Sequence, residues 1–451
     1  MEREFDVVVI GAGAPGEVIA GRLGEAGVSV AIVEERLVGG ECSFFACMPS
    51  KSLLRPVEIR AEAARVKGVR VDQELDVPAV LARRDEVVHD LDDSSQVPWL
   101  TDRGVELVRG HGRLDGEQRV TVGDETLVAR KAVVLATGSS ATMPPLPGLA
   151  EAKPWTNIEA TTAKHAPGRL AILGGGVVGV EMAQAWAALG SRVTLVHRGE
   201  RLIEREEPFA SEQVATALRE YGVDVRLGTS VASVSRNGVP RLELEGGDSL
   251  EADELLVAIG RTPRSTDVGL ETVGVEPGKH VQVDESLRVP RHDWLYAIGD
   301  VNGRALLTHM GKYQARLAAD AILGKEVRLR SDGGASPRVI FTDPQVGAVG
   351  LTLGAAEEAK LRVRSVDVDT GGNAGGSFVG KNAPGTARLV VDEDRRVVVG
   401  ATITGAEIAE ALHAATIAVV GEVPLDDLWH AVPAFPTRSE LWLRLLESYG
   451  L

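Results

Sequence analysis

The sequence predicts an α/β protein with two βαβ nucleotide-binding domains and a C-terminal α+β domain. Its 451 residues are enough for about three domains. Two glycine-rich turns each lie between a predicted strand and a predicted helix. After the Gly- and Ser-containing segment 331–336, the chain changes to short strands followed by two helical segments. We therefore predict domains at 1–147 with 265–330, at 148–264 and at 335–451.

The composition is typical of an acidic, soluble globular protein. Apolar residues make up 44% and charged residues 25% of the chain, and the formal net charge is -16. An acidic surface disfavours nucleic acid or an anionic membrane as a partner. No apolar run reaches the ~20 residues that span a bilayer, and the acidic start does not resemble a secretory signal. We expect a cytoplasmic protein without a metal site, since two cysteines are too few for structural zinc.

The first βαβ unit lies at the start of the chain. Its two strands are predicted at 5–10 and 28–34, and the helix between them at 14–26. Glycines with the GxGxxG spacing follow the first strand, at Gly11, Gly13 and Gly16. Glycine lets backbone N–H groups approach a pyrophosphate at a helix N-terminus. Glu34 ends the second strand, where it can accept hydrogen bonds from a ribose, so the unit is predicted to be a Rossmann-like dinucleotide site.

A second βαβ unit repeats this pattern. Its two strands are predicted at 169–173 and 192–196, and the helix between them at 177–189. Its glycines are Gly174, Gly176 and Gly179. His197 follows Gly179 by 18 positions, the separation between Gly16 and Glu34. The donors of His197 and Arg198 suit a 2′-phosphate, which an acid would repel. We predict NADPH, with NADH possible because the third glycine is present; the alternative is that both side chains are solvated surface residues.

Two further strands are predicted to deliver glycine turns towards a cofactor. The strand at 131–136 leads to Thr137 and Gly138, and the strand at 254–259 leads to Gly260.

Two cysteines follow the first βαβ unit directly, in the sequence Gly39-Gly-Glu-Cys42-Ser-Phe-Phe-Ala-Cys47-Met-Pro-Ser-Lys51. Thiols five positions apart can close a small ring, and their place in the chain puts them near the first nucleotide. A disulfide in a reducing compartment is usually catalytic. The alternative is a pair of buried cysteines that only pack.

Taken in order, these motifs resemble the flavoprotein disulfide reductases of the dihydrolipoamide dehydrogenase, glutathione reductase and mercuric reductase family. The likeness covers almost the whole chain, with motifs at 11–16, 42–51, 136–138, 174–181, 260–263, 297–300, 341–344 and 349–350. It implies that the first domain binds FAD, that the second binds NAD(P)H and that the third forms a homodimer.

The resemblance also implies roles for individual residues. Asp300 hydrogen-bonds the FAD ribityl chain, and Lys51 lies near flavin N5 and pairs with Glu181 beside the nicotinamide. Cys47 is the thiol nearer the flavin, and Cys42 attacks the substrate. Both cysteines act as thiolates, because the thiolate is the nucleophile in disulfide exchange.

The chain departs from the family at the histidine that serves as acid and base for the interchange thiol. Phe435 stands in its place, although Glu440 matches the glutamate that orients the histidine. A phenyl ring has no proton to give, so proton-dependent steps are expected to slow by on the order of 10² to 10⁴. Efficient reduction of glutathione disulfide or lipoamide is therefore not expected. His430 is a candidate to replace the missing histidine as acid and base.

Two branches of the family share this departure without matching the chain fully. Mercuric reductases lack the histidine but carry extra C-terminal cysteines, which are absent from the tail at 446–451. The 2-ketopropyl-coenzyme M oxidoreductase/carboxylase has phenylalanine there, but it replaces the glutamate with histidine, so carboxylation is not inferred.

The predicted function is electron transfer from NAD(P)H through FAD to the Cys42/Cys47 disulfide, and then to an unidentified thiol-linked or disulfide substrate. Two alternatives stay open. One is a quinone or diaphorase-type reductase that acts at the flavin, and the other is a slow redox-sensing flavoprotein.

Overall fold

The computed structural model describes residues 1–71, 74–380 and 383–451, which form two compact units. The first unit comprises Met1–Pro49, Asp85–Ala141 and Arg261–Gly333. The second comprises Ser50–Arg84, Thr142–Gly260 and Gly334–Leu451. Within the described ranges, no helix is long and apolar enough to cross a membrane. The three predicted domain ranges stay predictions.

A seven-stranded sheet forms the centre of the first unit. Its path runs through Val105–Arg109, Val30–Glu34, Glu2–Ile10, Glu125–Leu135, Arg119–Val122 and Gly112–Leu114, and Leu295–Ala297 also pairs with Glu125–Leu135. The central strand is apolar at consecutive positions, and its Val7, Val8 and Val9 are all buried. Such a run is typical of a parallel strand that is covered on both faces.

Helices cover this sheet, and two of them approach each other closely. The helices and 3-10 turns whose residues lie wholly in the first unit are Ala14–Glu25, Gly40–Phe44, His89–Leu91, Val97–Thr101, Leu270–Val273, Gly299–Asn302 and Thr308–Ile322. A Cβ on Gly311 would lie 2.6 Å from Pro15 Cγ, so glycine permits the contact between the first and last of these helices. A small antiparallel pair, Ser139–Ala141 with Arg261–Pro263, joins the two predicted glycine turns. The helices Cys47–Arg65 and Val77–Val87 contain residues of both units.

The second unit contains another parallel nucleotide-binding sheet. Its strands in spatial order are Asp224–Arg226, Arg192–Val196, Arg169–Leu173 and Glu254–Val257. An antiparallel sheet of Val231–Asn237, Val239–Leu244 and Ser249–Glu251 accompanies it. The helices of this region are Asn157–Thr162, Val177–Ala188 and Pro208–Glu220. Trp186 is completely buried in the apolar core that the parallel sheet and these helices share.

An antiparallel sheet of five strands organises the C-terminal part of the second unit. Its strands in spatial order are Arg338–Ile340, Gln345–Gly350, Val397–Gly405, Thr386–Asp392 and Val363–Asp369. Its helices are Leu353–Glu358, Ala374–Ser377, Leu412–Val420, Leu425–His430 and Glu440–Tyr449, and the 3-10 turn Gly333–Ala335 precedes it. The last helix buries Leu441, Leu445 and Tyr449, because residues four apart share one helix face.

The elements predicted for both βαβ units are present, with small shifts at their ends. The first helix ends at Glu25, and the strand after it begins at Val30. The larger difference is the strand predicted at 131–136, which begins at Glu125. It starts earlier because its first half pairs with Arg119–Val122 in a hairpin.

Candidate functional site

The first glycine turn leads into a helix whose N-terminus has no side-chain cap and faces open space. Gly11 has φ +102, and a Cβ on Gly16 would lie 1.9 Å from the Gly11 carbonyl oxygen, so both positions require glycine. Gly13 is the N-cap of the helix Ala14–Glu25, and no side chain caps it. A Cβ on Gly13 would meet nothing within 4 Å. The free space and the helix N-terminus fit a pyrophosphate, as FAD requires.

Glu34 is joined to this turn by one carboxylate oxygen and to its own following segment by the other. The Ala12 amide donates to Oε2 at 2.7 Å, and the Arg36 amide donates to Oε1 at 2.8 Å. Burial raises the pKa of Glu34, and the two amide hydrogen bonds oppose that rise. The structure therefore places this predicted ribose ligand at the turn with its carboxylate held in position.

The second glycine turn has the same backbone geometry. Gly174 has φ +117, and a Cβ on Gly179 would lie 1.9 Å from the Gly174 carbonyl oxygen. Gly176 is an N-cap without a side-chain cap, and a Cβ there would also meet nothing within 4 Å. This site fits the pyrophosphate of a nicotinamide dinucleotide by the same physical argument.

His197 makes the hydrogen bond at the second turn that Glu34 makes at the first. The Gly175 amide donates to His197 Nδ1 at 3.2 Å, so the neutral ring carries its proton on Nε2. That Nε2 is buried and has no hydrogen-bond partner in the part of the chain that the structure describes, and Glu204 Oε1 lies 3.6 Å away. Arg198 is exposed beside it. This strand end therefore carries an imidazole and an exposed arginine at the position where the first unit carries Glu34.

The cysteines lie at the starts of two successive helices. Cys42 belongs to Gly40–Phe44, and Cys47 is the first residue of Cys47–Arg65. Both residues are partly buried and are not joined by a disulfide. Cys47 Sγ lies 3.4 Å from the Thr308 hydroxyl, a contact that sequence reasoning missed because Thr308 is far away in the chain.

The surroundings of Cys42 favour its thiol form. A hydrogen bond with Cys47 raises the pKa of Cys42, and burial and the charge of a Cys47 thiolate add to this rise. The Thr308 hydroxyl and the Lys312 ammonium oppose it. Two thiolates side by side are therefore disfavoured, and Cys42 needs a group that removes its proton before it can attack.

Asp300 belongs to a partly buried chain of polar side chains in the first unit. The Ser139 hydroxyl donates to Asp300 Oδ2 at 2.5 Å, and Arg261 Nε donates to that hydroxyl at 2.6 Å. Arg261 also donates to Glu41 at 2.5 Å. Burial raises the pKa of Asp300, whereas Ser139 and Arg261 lower it. Of these four residues, sequence reasoning found only Asp300.

The glycine turns at Gly138 and Gly260 bring Ser139 and Arg261 together. Thr137 donates its hydroxyl proton to the Arg264 carbonyl at 2.7 Å, and the Arg264 amide donates to the Gly138 carbonyl at 3.0 Å. Gly260 has φ +147, which favours glycine at the residue before Arg261. Ser139 and Arg261 each follow the glycine of one of these turns directly, and this position could have identified them from the sequence.

Lys51 and Glu181 meet in the second unit. Lys51 Nζ lies 2.7 Å from Glu181 Oε2, and the Phe341 amide donates to Glu181 Oε1 at 3.0 Å. Glu181 is only 3% exposed, so its carboxylate depends on these partners. Lys51 Nζ also lies 4.9 Å from the centre of the Phe341 ring. The structure brings this predicted pair together, and its role beside a nicotinamide stays a prediction.

Phe435 and Glu440 differ sharply in exposure. Phe435 is 77% exposed and Glu440 is 9% exposed. Glu440 begins the last helix, and its Oε2 accepts a hydrogen bond from the Gly375 amide at 3.0 Å. His430 lies at the exposed end of the helix Leu425–His430. The roles of these three residues stay predictions.

Comparison with family models covers nearly the whole chain. A model described as "Pyridine nucleotide-disulphide oxidoreductase" matches residues 5–320, and the corresponding dimerisation-domain model matches residues 336–445. A dihydrolipoyl dehydrogenase of Chlamydia muridarum is 31% identical over 457 residues, which cover 98% of this chain and 96% of the relative. A mercuric reductase of Streptomyces lividans is 33% identical over 448 residues, which cover 94% and 93%.

A solved structure with this fold is the HOCl-induced flavoprotein disulfide reductase RclA from Escherichia coli. Its TM-score is 0.86 at 26% sequence identity, with 98% of this chain and 99% of that chain covered.

Proposed function

Because this chain belongs to the pyridine nucleotide-disulphide oxidoreductase family, we propose that it uses NADPH and FAD to reduce a small disulfide or other thiol-linked substrate through Cys42 and Cys47. The observation that carries the proposal is the pair of neighbouring cysteines, which no disulfide joins and whose second member contacts Thr308. FAD, when bound, supplies the two-electron chemistry that connects NADPH with the cysteines.

The residues of the chain have separate tasks in this proposal. The first glycine turn, Glu34 and Asp300 hold FAD, while the second glycine turn and His197 hold NADPH. Lys51 and Glu181 form an ion pair of fixed geometry for the nicotinamide. Hydrogen bonds to both oxygens of Glu34 favour a single orientation of its carboxylate.

The cysteines carry out the exchange with the substrate. The Cys42 thiolate attacks the substrate disulfide, forms a mixed disulfide and releases the first thiol. The Cys47 thiolate then attacks the Cys42 sulfur and releases the second thiol, which closes the Cys42–Cys47 disulfide. Phe44 and Phe45 lie between Cys42 and Cys47 in the chain; both are buried and contribute no charge to this region.

The assembly that fits the C-terminal match is a homodimer. The dimerisation-domain model covers residues 336–445, and this stretch exposes apolar side chains, including Ile417 at 57% and Val432 at 82%. Large exposed apolar side chains are among the features that protein–protein interfaces cover. Sedimentation equilibrium is expected to give twice the mass of one chain, and a purely monomeric protein would contradict this assembly.

Steady-state oxidation of NADPH tests the proposed activity. The purified holoenzyme is assayed with a panel of small disulfides, with menadione as a quinone and with oxygen alone. Turnover of at least one disulfide above the oxygen rate supports the proposal. Turnover with menadione alone would instead favour reaction at the flavin, and no turnover with any acceptor would favour a redox sensor.

We expect a higher kcat/KM for NADPH than for NADH, and we expect His197→Glu with Arg198→Ala to reverse this preference. A glutamate can accept the Gly175 hydrogen bond that His197 now accepts, just as Glu34 accepts from Ala12. Its carboxylate would also bind ribose hydroxyls and repel a 2′-phosphate.

The ratio of the two kcat/KM values is expected to change by at least about tenfold, which corresponds to about 1.4 kcal/mol. Arg192→Ala removes an exposed cation from the start of the same strand and serves as the control. A parent enzyme that already prefers NADH would contradict the assignment of His197.

A further inference from the structure

The helix that carries Cys42 is too short to hold its own position. It spans Gly40–Phe44, which is only 5 residues, and an isolated helix of this length is not stable in water. Its start packs against the first glycine turn, where a Cβ on Gly40 would lie 2.7 Å from Gly13 Cα. The position of Cys42 therefore depends on contacts between this helix and other parts of the first unit.

Glu41, the residue before Cys42, joins this helix to two arginines. Arg261 Nη2 donates to Glu41 Oε2 at 2.5 Å, and Arg264 Nη2 donates to Glu41 Oε1 at 3.0 Å. Each carboxylate oxygen thus has a charged donor of its own, which restrains the orientation of the carboxylate. The Glu41 side chain is 19% exposed, so these ion pairs are screened less than pairs on the open surface.

The backbone of Glu41 carries this restraint directly to the cysteine. Its carbonyl accepts a hydrogen bond from the Phe45 amide at 2.8 Å, which closes the helical turn that contains Cys42. The Phe45 ring is held in turn by the Arg36 guanidinium, which lies 4.8 Å from the ring centre. Glu41 therefore binds the arginines with its side chain and holds the turn of Cys42 with its carbonyl.

The two arginines are themselves anchored beside Asp300. Arg261 Nη2 and Arg264 Nε both donate to the Ser139 carbonyl, at 2.8 Å and 3.1 Å. The Ser139 hydroxyl accepts from Arg261 Nε and donates to Asp300. Glu41 is thereby linked to the residue that holds FAD in the proposed function.

We propose that Glu41 is a positioning residue, which holds Cys42 within reach of Cys47 through its two ion pairs. The inference rests on the proposed function, because it takes these cysteines as the working dithiol. A hydrogen bond joins the two thiols in the structure. Glu41 makes and breaks no bond to sulfur; it restricts the movement of the helix on which Cys42 lies.

The step that depends on this position is closure of the Cys42–Cys47 disulfide. After Cys42 has formed a mixed disulfide with the substrate, the Cys47 thiolate attacks the Cys42 sulfur. The Cys42–Cys47 bond forms, the bond from Cys42 to the substrate breaks, and the second substrate thiolate leaves and takes a proton from solvent. Two electrons have then passed from the cysteines to the substrate. A displacement of about 1 Å can slow such a step by ~10²-fold.

The reduction potential of the Cys42/Cys47 pair tests the proposal without turnover. The holoenzyme is equilibrated at neutral pH with mixtures of reduced and oxidised dithiothreitol or glutathione, quenched with acid and alkylated, and the peptide with both cysteines is quantified by mass spectrometry. Glu41→Gln keeps the size of the side chain, but its amide nitrogen cannot accept from an arginine. The equilibrium constant for disulfide closure should fall by about tenfold, which raises the potential by about 30 mV.

Glu35→Gln is the matched control for the loss of one negative charge. Glu35 Oε1 lies 3.8 Å from Arg264 Nη1, but Glu35 is outside the helix of Cys42. Its equilibrium constant for closure should stay within about twofold of the parent, which is about 10 mV.

Arg264→Gln removes one of the two partners of Glu41. It should raise the potential in the same direction as Glu41→Gln, by a smaller amount. The double variant should match Glu41→Gln alone, because both changes break the same contact. Shifts that simply add would show that the two residues act independently, contrary to the proposal.

FAD content and thermal unfolding show whether the variants keep the structure of the parent. Glu41→Gln leaves the hydrogen bonds from Arg261 to Ser139 and from Ser139 to Asp300 in place, so it should keep its FAD. If Glu41→Gln lost FAD, the potential of Arg264→Gln would decide, because that change removes a partner of Glu41 and leaves the bond to Asp300 unaltered.

Turnover supplies the second measurement. With 2-hydroxyethyl disulfide, Glu41→Gln should lower kcat/KM by at least about tenfold, whereas menadione, which takes electrons at the flavin, should be reduced within about twofold of the parent rate. The mixed disulfide at Cys42 should accumulate in acid-quenched samples, because closure has become slow. Equal losses with both acceptors would contradict a role that is confined to the cysteines.

An unchanged or lowered potential in a folded, FAD-containing Glu41→Gln protein would overturn the proposal. Cys42→Ser separates that failure from failure of the proposed function. If Cys42→Ser keeps disulfide turnover, the function itself is wrong. If Cys42→Ser is inactive and the potential of Glu41→Gln equals that of the parent, only the role of Glu41 is wrong.

Discussion

Replacing Cys42 with serine is expected to lower disulfide-dependent NADPH oxidation by on the order of 10³-fold or more. A serine hydroxyl stays protonated at neutral pH and cannot form the mixed disulfide with the substrate. The loss of activity should be larger than the loss expected from removing an acid or base, because the nucleophile itself is missing. Cys47 is the one other thiol among the described residues of the first unit. Steady-state kcat/KM with 2-hydroxyethyl disulfide measures it.

Ser43→Ala is the matched control, since Ser43 lies next to Cys42 in the helix Gly40–Phe44. Menadione reduction by the Cys42→Ser protein reports whether the route from NADPH to the flavin is intact. Cys42→Ser should therefore lose disulfide turnover and retain quinone turnover. Disulfide turnover within about twofold of the parent would show that the substrate is reduced elsewhere.

The fold and the cofactor class could be predicted from the sequence because short motifs fix the backbone locally. A Cβ on Gly16 or Gly179 would collide with a carbonyl oxygen of its own turn, so each turn has few alternatives. Matches to the oxidoreductase and dimerisation-domain models confirm the predicted family, the α/β fold with Rossmann-like domains, the enzyme class and the use of FAD and NAD(P)H.

The surroundings of the site could not be predicted in the same way, because they depend on contacts between distant parts of the chain. Ser139 and Asp300 are 161 positions apart, and Cys47 and Thr308 are 261 positions apart.

The pairing of Lys51 with Glu181 illustrates an intermediate case. The family resemblance predicted the pair, and the structure brings its charged atoms within 2.7 Å. The resemblance did not predict Gln184, whose amide group accepts from the Asp343 amide at 2.8 Å and donates to the Asp343 carbonyl at 3.1 Å. These bonds hold the segment that supplies the Phe341 amide to Glu181.

Phe435→His is expected to raise turnover of glutathione disulfide by about tenfold or more. The resemblance places residue 435 over the cysteines of the partner subunit in the proposed homodimer. A histidine there can exchange protons near neutral pH, whereas phenylalanine cannot. Glu440 is already buried and held by the Gly375 amide through one oxygen, so its other oxygen can orient an imidazole N–H.

Two control variants test whether the gain comes from a positioned imidazole. Val432→His adds a histidine to the same exposed segment without matching the family position, and it should leave turnover unchanged. Glu440→Gln in the Phe435→His background should reduce the gain, because a neutral amide stabilises an imidazolium less well.

The kinetic step that changes is as informative as the size of the change. Stopped-flow reduction of the flavin by NADPH needs no acid at position 435, so its rate should be nearly the same in the parent and in Phe435→His. The gain should appear only in steady-state turnover of disulfides whose leaving thiol needs a proton. A parent enzyme that already reduces glutathione disulfide or lipoamide at ~10 s⁻¹ or faster would mean that the missing histidine does not limit this protein.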